Sequence, residues 1–145
     1  MTRPRADESI SAMWIAHHYP EDYDRCIVVG RTHVCRRCAV LYPVAFLTFG
    51  LALAGVGRVD ALGAVALVLL PLPAVVEFVA EHMGWIGFHP AVQVVVTVPL
   101  GVALGTGFDR YVHHPADPLW WGVVVVYGGI CFASVLVGAR RTGRT

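Results

Sequence analysis

The sequence predicts an all-α integral membrane protein: a four-helix transmembrane bundle with a short N-terminal Cys/His knuckle, itself with the makings of a β-hairpin. Three observations predict it. Of the 145 residues, 57% are hydrophobic and 14% are charged, and the mean hydropathy is +0.63, whereas a soluble domain carries about 25% charged residues. Charge is also nearly absent from the middle of the chain, where residues 39–108 hold only Arg58, Asp60, Glu77 and Glu81. Finally, four apolar stretches approach the roughly 20 residues needed to cross about 30 Å of hydrocarbon.

Those stretches are residues 39–56, 61–80, 90–108 and 119–138. They are rich in Val and Ile, which favour strands in water. In lipid, however, four short strands would leave their edges unpaired, and helices satisfy their own backbone. Gly57, Arg58, Val59 and Asp60 alone join the first two spans, so these are expected to form a tight antiparallel hairpin. Residues 81–89 and 109–118 make the other connections, and four consecutive helices are expected to close as a bundle. Pro71 and Pro73 fall within the second span and should kink or divide it, leaving carbonyls for a neighbour to satisfy. Gly101 with Gly105, and Gly129 with Ala133, are small-xxx-small pairs that let helices approach, either within the bundle or between copies.

Direction comes from arginine. The chain has no Lys, and six of its eleven Arg precede residue 38 while three follow residue 139. An even number of spans puts both termini on one side, and the positive-inside bias makes that side the cytoplasm. An arginine-only composition fits a high-GC bacterial source and hence the bacterial inner membrane. The basic surface is too small for nucleic acid. Residues 1–8 lack the pattern of a cleavable signal, so the first span is expected to stay in the mature protein. Residues 1–38 then form a cytosolic segment, residues 39–138 the bundle and residues 139–145 a basic tail.

The chemistry is concentrated in residues 17–38. Cys35 and Cys38 form a CxxC, a spacing that lets two thiolates grip one metal, and zinc takes four N or S ligands in a tetrahedron. Gly30-Arg31 is suited to a tight turn between Cys-Ile-Val-Val and Thr-His-Val-Cys, which would fold Cys26 back beside the CxxC. His17 or His18 is a candidate fourth ligand, with His33 as the alternative. The spacing of Ile10, Met13, Trp14 and His17 suggests a short amphipathic helix on the membrane surface. Two other readings fit the same residues. Arg36 and Arg37 would favour thiolates in a redox dithiol at Cys35 and Cys38, and cysteines also serve as small buried hydrophobes. A secreted disulfide framework is not indicated by three clustered cysteines and a lone Cys131.

The run Pro20-Glu21, Arg25-Cys26, Gly30, Val34-Cys35-Arg36-Arg37-Cys38 and Leu41-Tyr42 resembles the signature of the bacterial membrane-protein family called domain of unknown function 2085. Cys35, Arg37, Cys38 and Tyr42 match it directly, and His17 matches the family histidine. Residues 71–77 resemble its proline followed by an acidic residue, so the resemblance spans about residues 17–105. The family's leading Cys falls at Ala16, and Cys26 stands where the family tends to have Ser. The resemblance implies a small multi-span membrane protein with a Cys/His cluster and supplies no activity.

Glu77 and Glu81 lie one helical turn apart near the end of the second span, beside His82. A carboxylate inside a span is costly and marks an ion path, an added ligand or a buried pair, for which Arg36 or Arg37 is the candidate partner of Glu77. Glu81 and His82 are expected to mark the helix end at the headgroups. At the other end, Asp109, His113, His114 and Asp117 are weaker metal-ligand candidates, and Tyr111, Trp120 and Trp121 fit an interfacial aromatic belt. The leading expectation is therefore a non-enzymatic zinc-binding membrane protein whose knuckle braces the first helix or docks a membrane-protein partner or a second copy. A membrane thiol–disulfide oxidoreductase using Cys35 and Cys38, and a transporter or transporter subunit using Glu77, are the alternatives.

Overall fold

The computed structural model describes residues 25–30, 32–56 and 60–141. Its elements are β1 (Cys26–Val29), β2 (Thr32–Cys35), α1 (Arg36–Leu53), α2 (Asp60–Leu69), α3 (Leu72–His82), α4 (Pro90–His113) and α5 (Pro118–Arg141). Counting α2 and α3 as one broken span, four helices are long and apolar enough to cross a membrane. Large apolar side chains such as Phe46, Leu47, Val95, Val125 and Phe132 stand 62–68% exposed around the outside, a coat suited to hydrocarbon rather than water. The short helix expected over residues 10–17, and His17 and His18 with it, lie outside the described residues.

The core is the seam between α1 and α4. A Cβ on Gly101 would stand 2.8 Å from the Cβ of Val44, and one on Gly105 would stand 2.5 Å from the Ala45 carbonyl and 2.7 Å from Thr48. Only hydrogen fits at such an approach. Because Gly101 meets Leu41 and Val44 while Gly105 meets Ala45, Thr48 and Phe49, the two helices run in the same direction. The first two spans do not pack as the close pair expected: α1 packs chiefly on α4, and α2 and α3 pack mainly on α4 and α5. The glycine groove overrides adjacency in sequence.

The second glycine pair behaves differently. Gly129 has nothing within 4 Å of its Cβ position and Ala133 is exposed, so this pair is not a contact inside the bundle. The connections are also shorter than expected, because α4 runs on to His113 and α5 begins at Pro118. Asp117 starts α5: its Oδ1 accepts the Trp120 backbone N–H at 2.9 Å, an N-cap just ahead of a first-turn proline.

The expected break at the prolines is present. Helix stops at Leu69 and restarts at Leu72, since neither Pro71 nor Pro73 has an N–H to donate to the preceding turn. The Tyr127 hydroxyl donates to the Val68 carbonyl at 2.7 Å, so the neighbour that satisfies the break is α5. At its far end α3 closes with a Schellman motif, in which Gly84 N–H reaches Glu81 O at 3.0 Å and Trp85 N–H reaches Ala80 O at 2.9 Å. Gly84 sits at φ +72°, where a Cβ would be strained.

Candidate functional site: a cysteine cap clamped by arginines

The hairpin forms as the residue types require. Gly30 adopts φ +65°, the left-handed conformation of a two-residue turn, and β1 pairs antiparallel with β2 in the register Cys26↔Cys35, Ile27↔Val34, Val28↔His33 and Val29↔Thr32. Side chains alternate along a strand, so Cys26, Cys35 and His33 share one face. A two-residue turn closes on a hydrogen-bonded pair, and alternation makes Cys26↔Cys35 a non-hydrogen-bonded pair with Cα atoms about 4.5 Å apart. Burial grades along this face: Cys26 and Cys35 are 6% and 8% exposed, and Val28 is 65% exposed. His33 is therefore on the cysteine face but displaced toward the exposed turn.

Cys35 is the residue immediately before α1, and Cys38 lies in the helix's first turn. The Cys38 thiol is in hydrogen-bonding contact with Cys35 and within electrostatic reach of Cys26 and Arg37. The helix thus starts three residues earlier than hydropathy suggests, and this is what folds the CxxC around its first turn. None of the four cysteines is in a disulfide. Among the described residues no three His, Cys, Asp or Glu side chains form a ready-made metal-ligand group.

Three arginines fasten this cap to the bundle. Arg36 donates to the Cys26 carbonyl at 3.3 Å. Arg37 pairs with Glu77 at 2.7 Å and lies over the Phe78 ring, so Arg37 is the partner of the carboxylate within the second apolar span. Arg25 pairs with Glu81 at 2.5 Å. Both Arg25 and Arg36 lie over Phe88, at 5.1 and 5.8 Å, placements worth about 0.5–2 kcal/mol each. His82 stacks on Phe78 at 4.0 Å, and its Nδ1 is hydrogen-bonded to the Phe78 carbonyl. Glu81 lies at the end of α3 as expected, and its side chain there is 6% exposed and ion-paired. The cap covers it.

Two members of this region escape sequence reasoning. Phe88 looks like a loop aromatic until the arginines are placed over it. Gln93 is 5% exposed, and its Oε1 has no hydrogen-bonding partner among the described residues. By the offset that sets Gly101 against Leu41 and Val44, Gln93 stands level with Cys35. A glutamine one turn inside an apolar span was the available signal.

The opposite end is built for structure. Arg110 pairs with Asp117 at 2.6 Å, and His113 Nδ1 is hydrogen-bonded to the Asp109 carbonyl at 2.8 Å. The backbone N–H of Trp120, with the Arg110 guanidinium beside it, holds the Asp117 carboxyl below the usual range against the opposing effect of burial. Tyr111 and Trp121 form the edge-to-face pair expected of an aromatic belt, 6.1 Å between centroids. Trp120 is not part of it: the ring is 8% exposed and lies near Phe108, filling the space over Gly107.

No family model, no curated protein and no solved structure matches this chain.

Proposed function

We propose that the chain is a multi-pass protein of the bacterial inner membrane, both termini cytoplasmic, whose cap binds zinc through Cys26, Cys35 and Cys38. His17 or His18 supplies the fourth ligand, with His33 as the alternative on the cysteine face. The metal would lock the hairpin onto the first turn of α1 and give a membrane-protein partner a rigid surface to dock on. The observation that carries this reading is the convergence of the cysteines: Cys26 is opposite Cys35, and Cys35 touches Cys38. The likeness of Cys35, Arg37, Cys38 and Tyr42 to the domain of unknown function 2085 points the same way, and a reducing cytoplasm keeps such thiols available as ligands. Metal analysis of the purified chain should find about one zinc per chain, lost in Cys35→Ser and in Cys38→Ser. Metal-free protein with every thiol open to alkylation overturns the proposal. His17→Ala, His18→Ala and His33→Ala, compared for zinc affinity, identify the fourth ligand.

The contact between Cys35 and Cys38 also favours a second reading, thiol–disulfide exchange. In it the two thiols become one disulfide while a substrate disulfide is reduced to two thiols. Run in reverse, so that a substrate dithiol is oxidised by a Cys35–Cys38 disulfide, the exchange belongs on the oxidising side of the membrane. Labelling of Cys35 by an impermeant maleimide from outside the cell would select this reading over zinc.

A further inference from the structure

A cavity of about 270 Å³ lies between α2, α3, α4 and α5, partly open at its side. Its walls are apolar, with Leu67, Ala74, Leu104 and Val124 among them. The Tyr127 hydroxyl at its edge is already committed to Val68. Ordered water requires two to four polar partners, and these walls do not offer them. In a bilayer, such a space is filled by hydrocarbon.

The ends of the cavity differ in charge. Arg37, Phe78 and Cys131 line the end near the cysteine cap, and Trp120 lines the other. The last turn of α5 lies at the cap end too, because Gly138 fits against the His82 carbonyl. Exposed Arg140 and Arg141 therefore join Arg25, Arg36 and Arg37 there, against the carboxylates Glu77 and Glu81. At the other end Arg110 is matched by Asp117. Among the described residues, the surplus of positive charge is at the end where the headgroup of a lipid in the cavity would lie.

We propose that the cavity is a binding site for one hydrocarbon chain of an anionic glycerophospholipid, whose phosphate rests on the guanidinium groups of Arg140 and Arg141. The proposal rests on the membrane location and is independent of zinc. Gly128 provides the test. It lines the cavity, and a Cβ there meets nothing within 4 Å, so Gly128→Leu fills the space without a clash. Gly129→Leu, equally open but outside the lining, is the control.

The full chain is reconstituted in nanodiscs of phosphatidylglycerol or of phosphatidylcholine, extracted into mild detergent and weighed by native mass spectrometry. The wild type and Gly129→Leu should retain one phosphatidylglycerol, and phosphatidylcholine roughly thirtyfold less, the factor contributed by two guanidiniums near the surface. Gly128→Leu should lose the retained lipid. Arg140→Gln/Arg141→Gln, changed at exposed positions, should bring phosphatidylglycerol down to the phosphatidylcholine level. Equal retention of the two lipids by the wild type overturns the proposal, as does undiminished retention by Gly128→Leu. Zinc content is unaffected in either case, so failure here is distinguishable from failure of the metal reading.

Discussion

Arg37 and Glu77 form an ion pair at 2.7 Å between the first turn of α1 and the middle of α3, with side chains 17% and 7% exposed. Neither charge is tolerable there alone, because an ion deprived of its partner keeps its desolvation cost. Arg37→Ala or Glu77→Gln should each disturb the pair, and Arg37→Ala, which strands a carboxylate, should cost about 3–5 kcal/mol. The double variant Arg37→Met/Glu77→Leu should recover most of that loss. Thermal unfolding in detergent, run as a double-mutant cycle, measures the coupling.

Tyr127 donates to a carbonyl that the helix break between Leu69 and Leu72 leaves open. Tyr127→Phe leaves the Val68 carbonyl without its donor inside an apolar bundle, and the expected loss is about 1 kcal/mol, in the range found for hydrogen bonds between membrane helices. A fall in the melting temperature with an unchanged helix content by circular dichroism is the expected result.

Gly105 is the tightest point of the α1–α4 seam. Its Cβ would enter the Ala45 carbonyl and the Thr48 side chain, so Gly105→Val should force the helices apart at a cost of about 1–3 kcal/mol or more. Gly129→Val, facing open space, should change stability little. Denaturant midpoints for the two variants make the comparison.

Asp117 gives the loop before α5 a defined acid response. Its pKa in the folded chain is held below the unfolded value of about 3.9, so the unfolded chain binds the proton more readily. The stabilisation is complete above the unfolded pKa and is lost as the pH falls through the folded one. Asp117→Asn should therefore flatten the low-pH limb of a stability profile measured between about pH 5 and pH 2 and lower its plateau.

The parts legible in the sequence are those governed by local chemistry. Gly30 specifies the turn that sets Cys26 against Cys35, the hydropathy runs locate the spans, and Pro71 and Pro73 break the second of them because neither can donate an N–H. Helix partnership was not legible in the same way. A four-residue connection suggests that α1 lies beside α2, yet Gly101 and Gly105 make α4 the helix that α1 can approach most closely, and loop length carries no information about that groove. The cover over Glu81 and over Trp120 was not legible for a related reason. Each lies near a span end, where headgroups are the default surroundings, and each is covered by a residue distant in sequence, Arg25 in one case and the α4 backbone at Gly107 in the other.

The parallel pairing of α1 with α4 has a consequence for the order of synthesis. Leu41 and Val44 meet Gly101, and Ala45 and Thr48 meet Gly105, so the first span waits for a partner made nearly sixty residues later. At a translation rate of roughly 5–20 residues per second, the nascent first helix spends several seconds without its partner. Glu81, at the end of α3, and Phe88, just beyond it, hold the cysteine hairpin in place and are also made late. The cap is made before every helix that seats it and is among the last parts to be seated.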